Sequence, residues 1–294
     1  PNYKIMVQSV EKRLILSLQS LIEKVVYFYT AENTSPDLAV HEIRKSFKRM
    51  RALLKFYADL PNSFSIECTL QINKYAKNLA LLRESYVNIQ LFDEIISKHI
   101  IISENKIGQL KEKLLAKNKI LIEEQFIKKI DLKSFQNFIN KFQENIKNGD
   151  FKKPSKKEIF NQLCISFFKN YTIFQNYKTC SDGEYLHKFR KKLKRLYYQF
   201  EFIKFQNPKY FELKTEQLHK ITEQLGNDHD LYIFLKEIEN EEYNFNNSEI
   251  LLIEKQIQHL RELKLLKITT RLKQFFSDTP DVFNLKMEKI FKIS

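Results

Sequence analysis

Apolar residues recur every three or four positions along nearly the whole chain, which is the spacing of the buried side of an α-helix. Short segments rich in Pro, Gly, Asn, Asp and Ser interrupt this pattern, as at Thr34-Ser35-Pro36 and Ser181-Asp182-Gly183. Such residues favour turns and helix ends. The interruptions predict long helices at about 4–31, 36–59, 64–100, 104–127, 131–147, 156–178, 183–205, 209–241 and 248–276, and a short one after Pro280.

The second half of the chain repeats the first half with a shift of 146 residues and no gap over about 60 residues. Shared helical spacing would align apolar residues, whereas this shift also aligns charged ones. The aligned pairs include His41 and His187, Arg44 and Arg190, Lys45 and Lys191, Lys48 and Lys194, Arg49 and Arg195, and Glu84 and Asp230. We therefore expect an all-α fold from an internal duplication, with two antiparallel four-helix bundles. The expected repeats are residues 1–130 and 155–294, joined by a connector at 131–154.

The composition agrees with long helices, because the 294 residues include 4 Gly and 6 Pro. Three cysteines lie far apart without a C-x-x-C pair, so we expect neither a disulfide framework nor a cysteine zinc site. No apolar run reaches the ~18 residues of a membrane span, and the amino terminus lacks the apolar core of a signal peptide. These features favour a soluble protein of the reducing cytoplasm with no membrane partner.

The chain carries 50 Lys and Arg against 36 Asp and Glu, and this net charge of +14 favours a negatively charged partner. Two predicted helices, HEIRKSFKRMRALLKF (41–56) and HKFRKKLKRLYYQFEF (187–202), begin with histidine and have basic residues at the same offsets. On the first helix Arg44, Lys48 and Arg51 fall within an arc of about 80°, opposite the apolar residues Ile43 and Phe47. Arg and Lys residues of this helix form five like-charged pairs three or four positions apart, and the repulsion within these pairs costs on the order of 1 to 2.5 kcal/mol in total. A bound polyanion would remove this repulsion, because Arg and Lys pair with phosphate oxygens.

These residues resemble the CHAD domain, the conserved-histidine α-helical domain. Its members have, in each half, a helix of the form H-x-x-R-x-x-x-[RK]-R-x-R and, about forty residues later, a segment like L-G-x-x-[RNH]-D. Here the later segments are LALLRESYV (79–87) and LGNDHDLYI (225–233). The sequence departs from the pattern at four places, which are Ala80, Glu84, Tyr197 and His229.

The resemblance implies two four-helix bundles related by a pseudo-twofold axis, with a positively charged groove between them that binds inorganic polyphosphate. It also implies an association with polyphosphate granules and with enzymes of polyphosphate metabolism. We expect a primary site made of His41, Arg44, Lys45, Lys48, Arg49, Arg51, Lys55, His187, Arg190, Lys191, Lys194 and Arg195. Secondary binding residues are expected on the helices that pack beside the basic ones, at Lys74, Lys77, Arg83, His219 and Lys220.

Two other functions are open at this point, although we expect no catalytic residue, metal or cofactor. His229-Asp230 matches the HD dipeptide of metal-dependent phosphohydrolases, but the first half has Arg83-Glu84 at the same place. Numerous Phe and Tyr residues could stack on bases in a nucleic-acid-binding protein, yet at helical spacing they more often form a core, and no known nucleic-acid-binding motif occurs. Neighbouring Arg and Lys residues should repel a divalent cation from His41 and His187 and lower the pKa of both histidines.

Overall fold

The computed structural model describes residues 9–31, 33–58, 60, 63–96, 104–128, 132–148, 152–177, 183–239 and 245–293. All the regular structure in these ranges is helical, in eleven α-helices with short 3₁₀ or π extensions. The expected all-α fold is therefore confirmed. The internal duplication and the repeat boundaries stay predictions.

The described residues of the first half of the chain form six helices. Helix α2 shows why they begin where they do: Ser35 caps it by accepting a hydrogen bond from the Leu38 amide, and Pro36 occupies its first turn. The six helices are α1 Val10–Thr30, α2 Pro36–Leu54 with a 3₁₀ turn Lys55–Tyr57, α3 Ser63–Asn78, α4 Ala80–Leu91 with a π segment Phe92–Ile96, α5 Glu104–Leu121 with a π segment Ile122–Lys128, and α6 Leu132–Asn148.

Five helices are formed by the part of the second half that the structure describes. Capping boxes at Ser155 with Glu158 and at Asn246 with Glu249 fix the start of two of them. The five helices are α7 Lys156–Gln175, α8 Gly183–Ile203 with a 3₁₀ turn Lys204–Gln206, α9 Pro208–Ile238, α10 Asn247–Phe275 and α11 Pro280–Phe291. Their bounds lie close to the predicted ones because the apolar spacing and the turn residues both indicate the same helix ends.

The helix predicted over 64–100 is interrupted at Leu79, and α3 and α4 lie on either side of it. The Ala76 carbonyl, one turn before Ala80, accepts a hydrogen bond of 2.9 Å from Nη1 of Arg44. An arginine of the basic helix α2 thus satisfies a carbonyl at the end of α3, which local spacing cannot reveal. In the second half α9 runs without interruption through the equivalent residues.

Two groups of buried apolar side chains hold these helices together, and both halves of the chain contribute to each. The larger core includes Phe47 of α2 and Phe189 of α8, each 0% exposed. The smaller core joins α4 and α5 to α9 and α10 through residues such as Phe92, Leu114 and Phe234. Such intermixed packing rigidly connects the two halves.

Helix α6 lies in the segment 131–154 that we expect to be a connector. Its apolar side is buried in the larger core against α1 and α3, with Phe135, Phe142 and Ile146 no more than 4% exposed. The described residues of this segment therefore take part in the packing of the first half as well as joining the two halves.

Candidate anion-binding site

Helices α2 and α8 pack against each other, and the basic residues of one come close to those of the other. On the buried side, the fully buried Gln199 donates a hydrogen bond of 3.3 Å from Nε2 to the Ala52 carbonyl, which ties α8 to α2. We call the cations that meet beside this contact the basic cluster. Its members are Arg44, Lys48 and Arg51 of α2, Arg83 of α4, and Arg190, Lys191, Lys194 and Arg195 of α8.

Lys48 lies near the middle of the basic cluster. Burial, and then repulsion from Arg190 and Arg44, lowers the pKa of Lys48 to about 7. Lys194 is in a similar position, because burial and the charge of Arg190 lower its pKa to about 8. Burial is the larger cause for both lysines, and the nearby arginine charges add to it.

Arg44 and Arg190 occupy equivalent positions but are held differently. Burial lowers the pKa of Arg44 to about 10, although the carboxylate of Glu84 favours its charge. The Arg190 guanidinium lies directly on Gly226 of α9, where a Cβ atom would be 3.0 Å from Nη2. Asp230, one turn further along α9, is the carboxylate that favours the charge of Arg190.

The two histidines at the start of the basic helices also differ from each other. The side chain of His41 is 45% exposed, and Nε2 lies 3.8 Å from Glu42 Oε1. His187 stacks on His229 of α9, with 3.8 Å between the ring centroids and 27° between the ring planes. The pKa values of His41 and His187 are lowered, as predicted, but burial contributes more than the neighbouring charges.

The sequence model of the CHAD domain family matches residues 18–239, which is most of the chain. The chain belongs to the CHAD domain family. Its fold is similar to the crystal structure of the CHAD domain from the plant Ricinus communis, with a TM-score of 0.59 and 14% sequence identity over 97% of this chain and 92% of that chain. A search of curated proteins gives no match.

In this CHAD domain some of the expected binding residues lie outside the basic cluster. Arg49 is paired with Glu201, at 3.3 Å between Nη2 and Oε2, and faces a cleft of about 480 Å³ formed by α1, α2 and α8. Lys45 is paired with Glu42 at 3.4 Å, and Lys55 lies in the 3₁₀ turn after α2. These three residues are therefore less directly available to an anion between α2 and α8.

The secondary residues also separate into two groups. Arg83 belongs to the basic cluster, since its charge acts on His41, Arg44 and Arg190. His219 borders the cluster, with its ring 5.8 Å from the ring of Tyr197. Three exposed lysines lie on the outer surfaces of α3 and α9: Lys74 and Lys77 on α3, and Lys220 beside Glu216 on α9.

Three features of the site were not among the expected binding residues: the close approach of Gly226 to Arg190, the half-buried carboxyl groups of Glu84 and Asp230, and the stacked ring of His229. A glycine inside a long helix usually has a packing reason, and that signal could have identified Gly226. Burial raises the pKa values of Glu84 and Asp230, and their negative charges also act on each other.

Two features that metal binding and membrane crossing would need are absent from the described part of this CHAD domain. It contains no group of three or more His, Cys, Asp or Glu side chains arranged to hold a metal ion. None of its helices, within the same ranges, is long and apolar enough to cross a membrane.

Proposed function

We propose that this CHAD domain binds inorganic polyphosphate at the basic cluster and does not catalyse a reaction on it. The observation that carries the proposal is the meeting of two basic helix faces, which leaves eight cations close together. Fewer carboxylates act on them among the described residues: Asp37, Glu84, Glu201, Glu223 and Asp230.

The shape of the basic cluster suits a linear polymer of phosphates. From Arg44 to Arg51 the cations of α2 follow the helix for about 10 Å, and those of α8 run beside them. A flexible chain with closely spaced negative charges can pair with both rows at once, and Arg and Lys are well suited to phosphate oxygens. Membership of the CHAD family agrees with this ligand.

A calorimetric titration with polyphosphate of defined length tests the proposal. We expect strong binding by the native protein and its loss in the Arg44→Glu, Arg190→Glu double variant, because both substitutions reverse a charge at the centre of the site. The Lys169→Glu, Lys267→Glu variant is the matched control, since it changes the net charge equally at exposed positions of α7 and α10. Equal affinity of the two variants would contradict the proposed site.

Salt dependence and competition distinguish polyphosphate from other polyanions. Each neutralised phosphate of a single-stranded polyanion contributes about 0.7 to the slope of log affinity against log salt, so about six to eight contacts predict a slope near 4 to 6. We expect single-stranded RNA at equal phosphate concentration to compete poorly, because the site provides paired cations and no arrangement for reading bases. Full displacement by RNA would favour a nucleic-acid-binding function instead.

The proposed activity also predicts a cellular location. A polyphosphate-binding protein should be found in the cytoplasm, at polyphosphate granules and near the enzymes that make or degrade the polymer. Fluorescence microscopy of the tagged native protein beside the Arg44→Glu, Arg190→Glu variant checks this expectation. A granule signal that is the same for both proteins would show that recruitment does not depend on the basic cluster.

A further inference from the structure

The stacked rings of His187 and His229 form a distinct part of the site at the amino-terminal end of α8. The ring centroids are 3.8 Å apart, and Nδ1 of each ring is buried without a hydrogen-bond partner. Buried polar atoms normally have partners, so two unpaired imidazole nitrogens beside each other are suited to a hydrogen-bonding ligand.

The surroundings of this histidine pair are mainly cationic. Burial and positive neighbours lower the pKa of His187 to about 4 and that of His229 to about 3, so both rings are neutral in the empty protein at physiological pH. Charged groups reach the pair, or Asp230 beside it, from four helices: Arg190 and Lys191 of α8, Lys48 of α2, Arg83 and Glu84 of α4, and Lys264 of α10.

A phosphate group beside this pair would reverse the local balance of charge. It would accept hydrogen bonds from the imidazole nitrogens and compensate the positive charge that now opposes protonation. We propose that His187 and His229 form a phosphate subsite of the basic cluster, and that the pair takes up a proton from solvent when a phosphate group of the polymer binds. This inference rests on the proposed polyphosphate-binding function and adds a binding residue, His229, and a proton linkage to it.

The sign of this proton linkage follows from comparing the protein without phosphate and the phosphate-bound protein. Binding raises the pKa of a group that is protonated in the complex, so the added affinity is greatest at low pH. It is lost as the pH rises through the pKa of the bound form. For each proton taken up, the affinity changes by up to about tenfold per pH unit between the pKa values of the free and bound forms.

The first half of the chain provides a natural comparison for this subsite. The shift of 146 residues places Arg83, a guanidinium rather than an imidazole, where the second half has His229. The proton linkage should therefore belong to the second half, and His229→Arg should remove it while keeping a phosphate-binding cation.

NMR of the imidazole protons measures the linkage directly. In the full chain without ligand, we expect neither ring to titrate above about pH 5, and with tripolyphosphate or a longer polyphosphate at least one ring should titrate above about pH 6. A bound-state pKa that stays below about 5 for both rings would overturn the proposal.

Calorimetry on four proteins completes the test. Between about pH 7 and pH 6 the native protein should gain up to about tenfold more affinity than either His229→Asn or His229→Arg. His259→Asn, which changes an exposed histidine of α10, should behave like the native protein. Terminal phosphates of the ligand also titrate near pH 6, but they are common to all four proteins, so the difference isolates the pair.

The outcomes separate this proposal from the proposed function. Binding by all four proteins with the same pH dependence would contradict the histidine subsite and leave polyphosphate binding intact. No binding of polyphosphate by the native protein at low salt would contradict the proposed function itself.

Discussion

The two basic helices of this protein occupy equivalent positions in the sequence, but their surroundings differ. Beside α2, the helical path breaks at Leu79 and the freed carbonyl of Ala76 binds Arg44. Beside α8, helix α9 continues past Gly226, and the absence of a side chain there lets Arg190 lie against the helix. An arginine of the basic cluster is thus held by a polar contact in the first half and by close packing in the second.

The charges of the two halves differ as well. Arg83, Arg51 and Lys55 of the first half correspond to His229, Tyr197 and Glu201 of the second. At these three positions the first half has cations, whereas the second half has a histidine of the stacked pair, a tyrosine and a carboxylate. If the predicted duplication is correct, its two copies have diverged at these three positions.

The largest effects should come from the two central arginines. We expect Arg44→Ala and Arg190→Ala each to lower polyphosphate affinity by about tenfold to a hundredfold, because each removes charge-assisted hydrogen bonds. Each also leaves a half-buried carboxyl group, Glu84 or Asp230, without its main cation. Titration calorimetry at constant salt measures both losses, and an unchanged affinity for either variant would show that its half of the site is not used.

Lys48 should show a conflict between binding and stability. Its pKa in the native protein lies far below that of a free lysine, so its charge destabilises the fold at and below about pH 7, and this cost disappears as the pH rises toward the unfolded-state pKa. We expect Lys48→Met to increase the free energy of unfolding near pH 6 by on the order of 1 to 3 kcal/mol and to weaken binding.

Chemical denaturation at about pH 6 and about pH 10 checks the stability of Lys48→Met, and the gain should be much smaller at the higher pH. The control is Lys188→Met, at an exposed position of α8. A loss of stability in Lys48→Met at about pH 6 would contradict the repulsion that we infer.

Replacement of Glu201 should make the second half more like the first. Glu201→Lys places a cation where the first half has Lys55 and releases Arg49 from its ion pair. We expect polyphosphate affinity to rise by about threefold to tenfold and the salt slope to increase by about 0.7 for each added phosphate contact. Glu212→Lys changes the charge equally at an exposed site, and an equal gain in that control would indicate a general effect of net charge.

The smallest of these effects should appear at Gly226. A methyl group there would lie 3.0 Å from the guanidinium of Arg190, so we expect Gly226→Ala to move that group by a few tenths of an ångström and to weaken binding by about twofold to fivefold. Ala80→Gly, the reverse change at the equivalent position of the first half, should leave binding nearly unchanged because Arg44 is held by the Ala76 carbonyl. Equal effects in both halves would contradict the difference in how the arginines are held.

The sequence predicts well what depends on local spacing. The helix bounds, the two basic faces and the family follow from apolar periodicity, turn residues and a regular motif. Contacts between distant residues are not encoded in that spacing. The pairing of Arg49 with Glu201 joins side chains 152 residues apart, and the stacking of His187 on His229 depends on how α8 packs against α9. Such contacts arise from tertiary packing, which gives each long side chain a choice of partners.

The hydrogen bond from Gln199 to the Ala52 carbonyl has a consequence for the rate of binding. Because it joins α2 to α8 on the buried side, it opposes separation of the two rows of cations. Under the proposed function, polyphosphate meets cations that are already held side by side, and little reorganisation opposes association. Encounter in the long-range positive potential should then control the association rate, so that the rate rises steeply as salt is diluted while dissociation changes little.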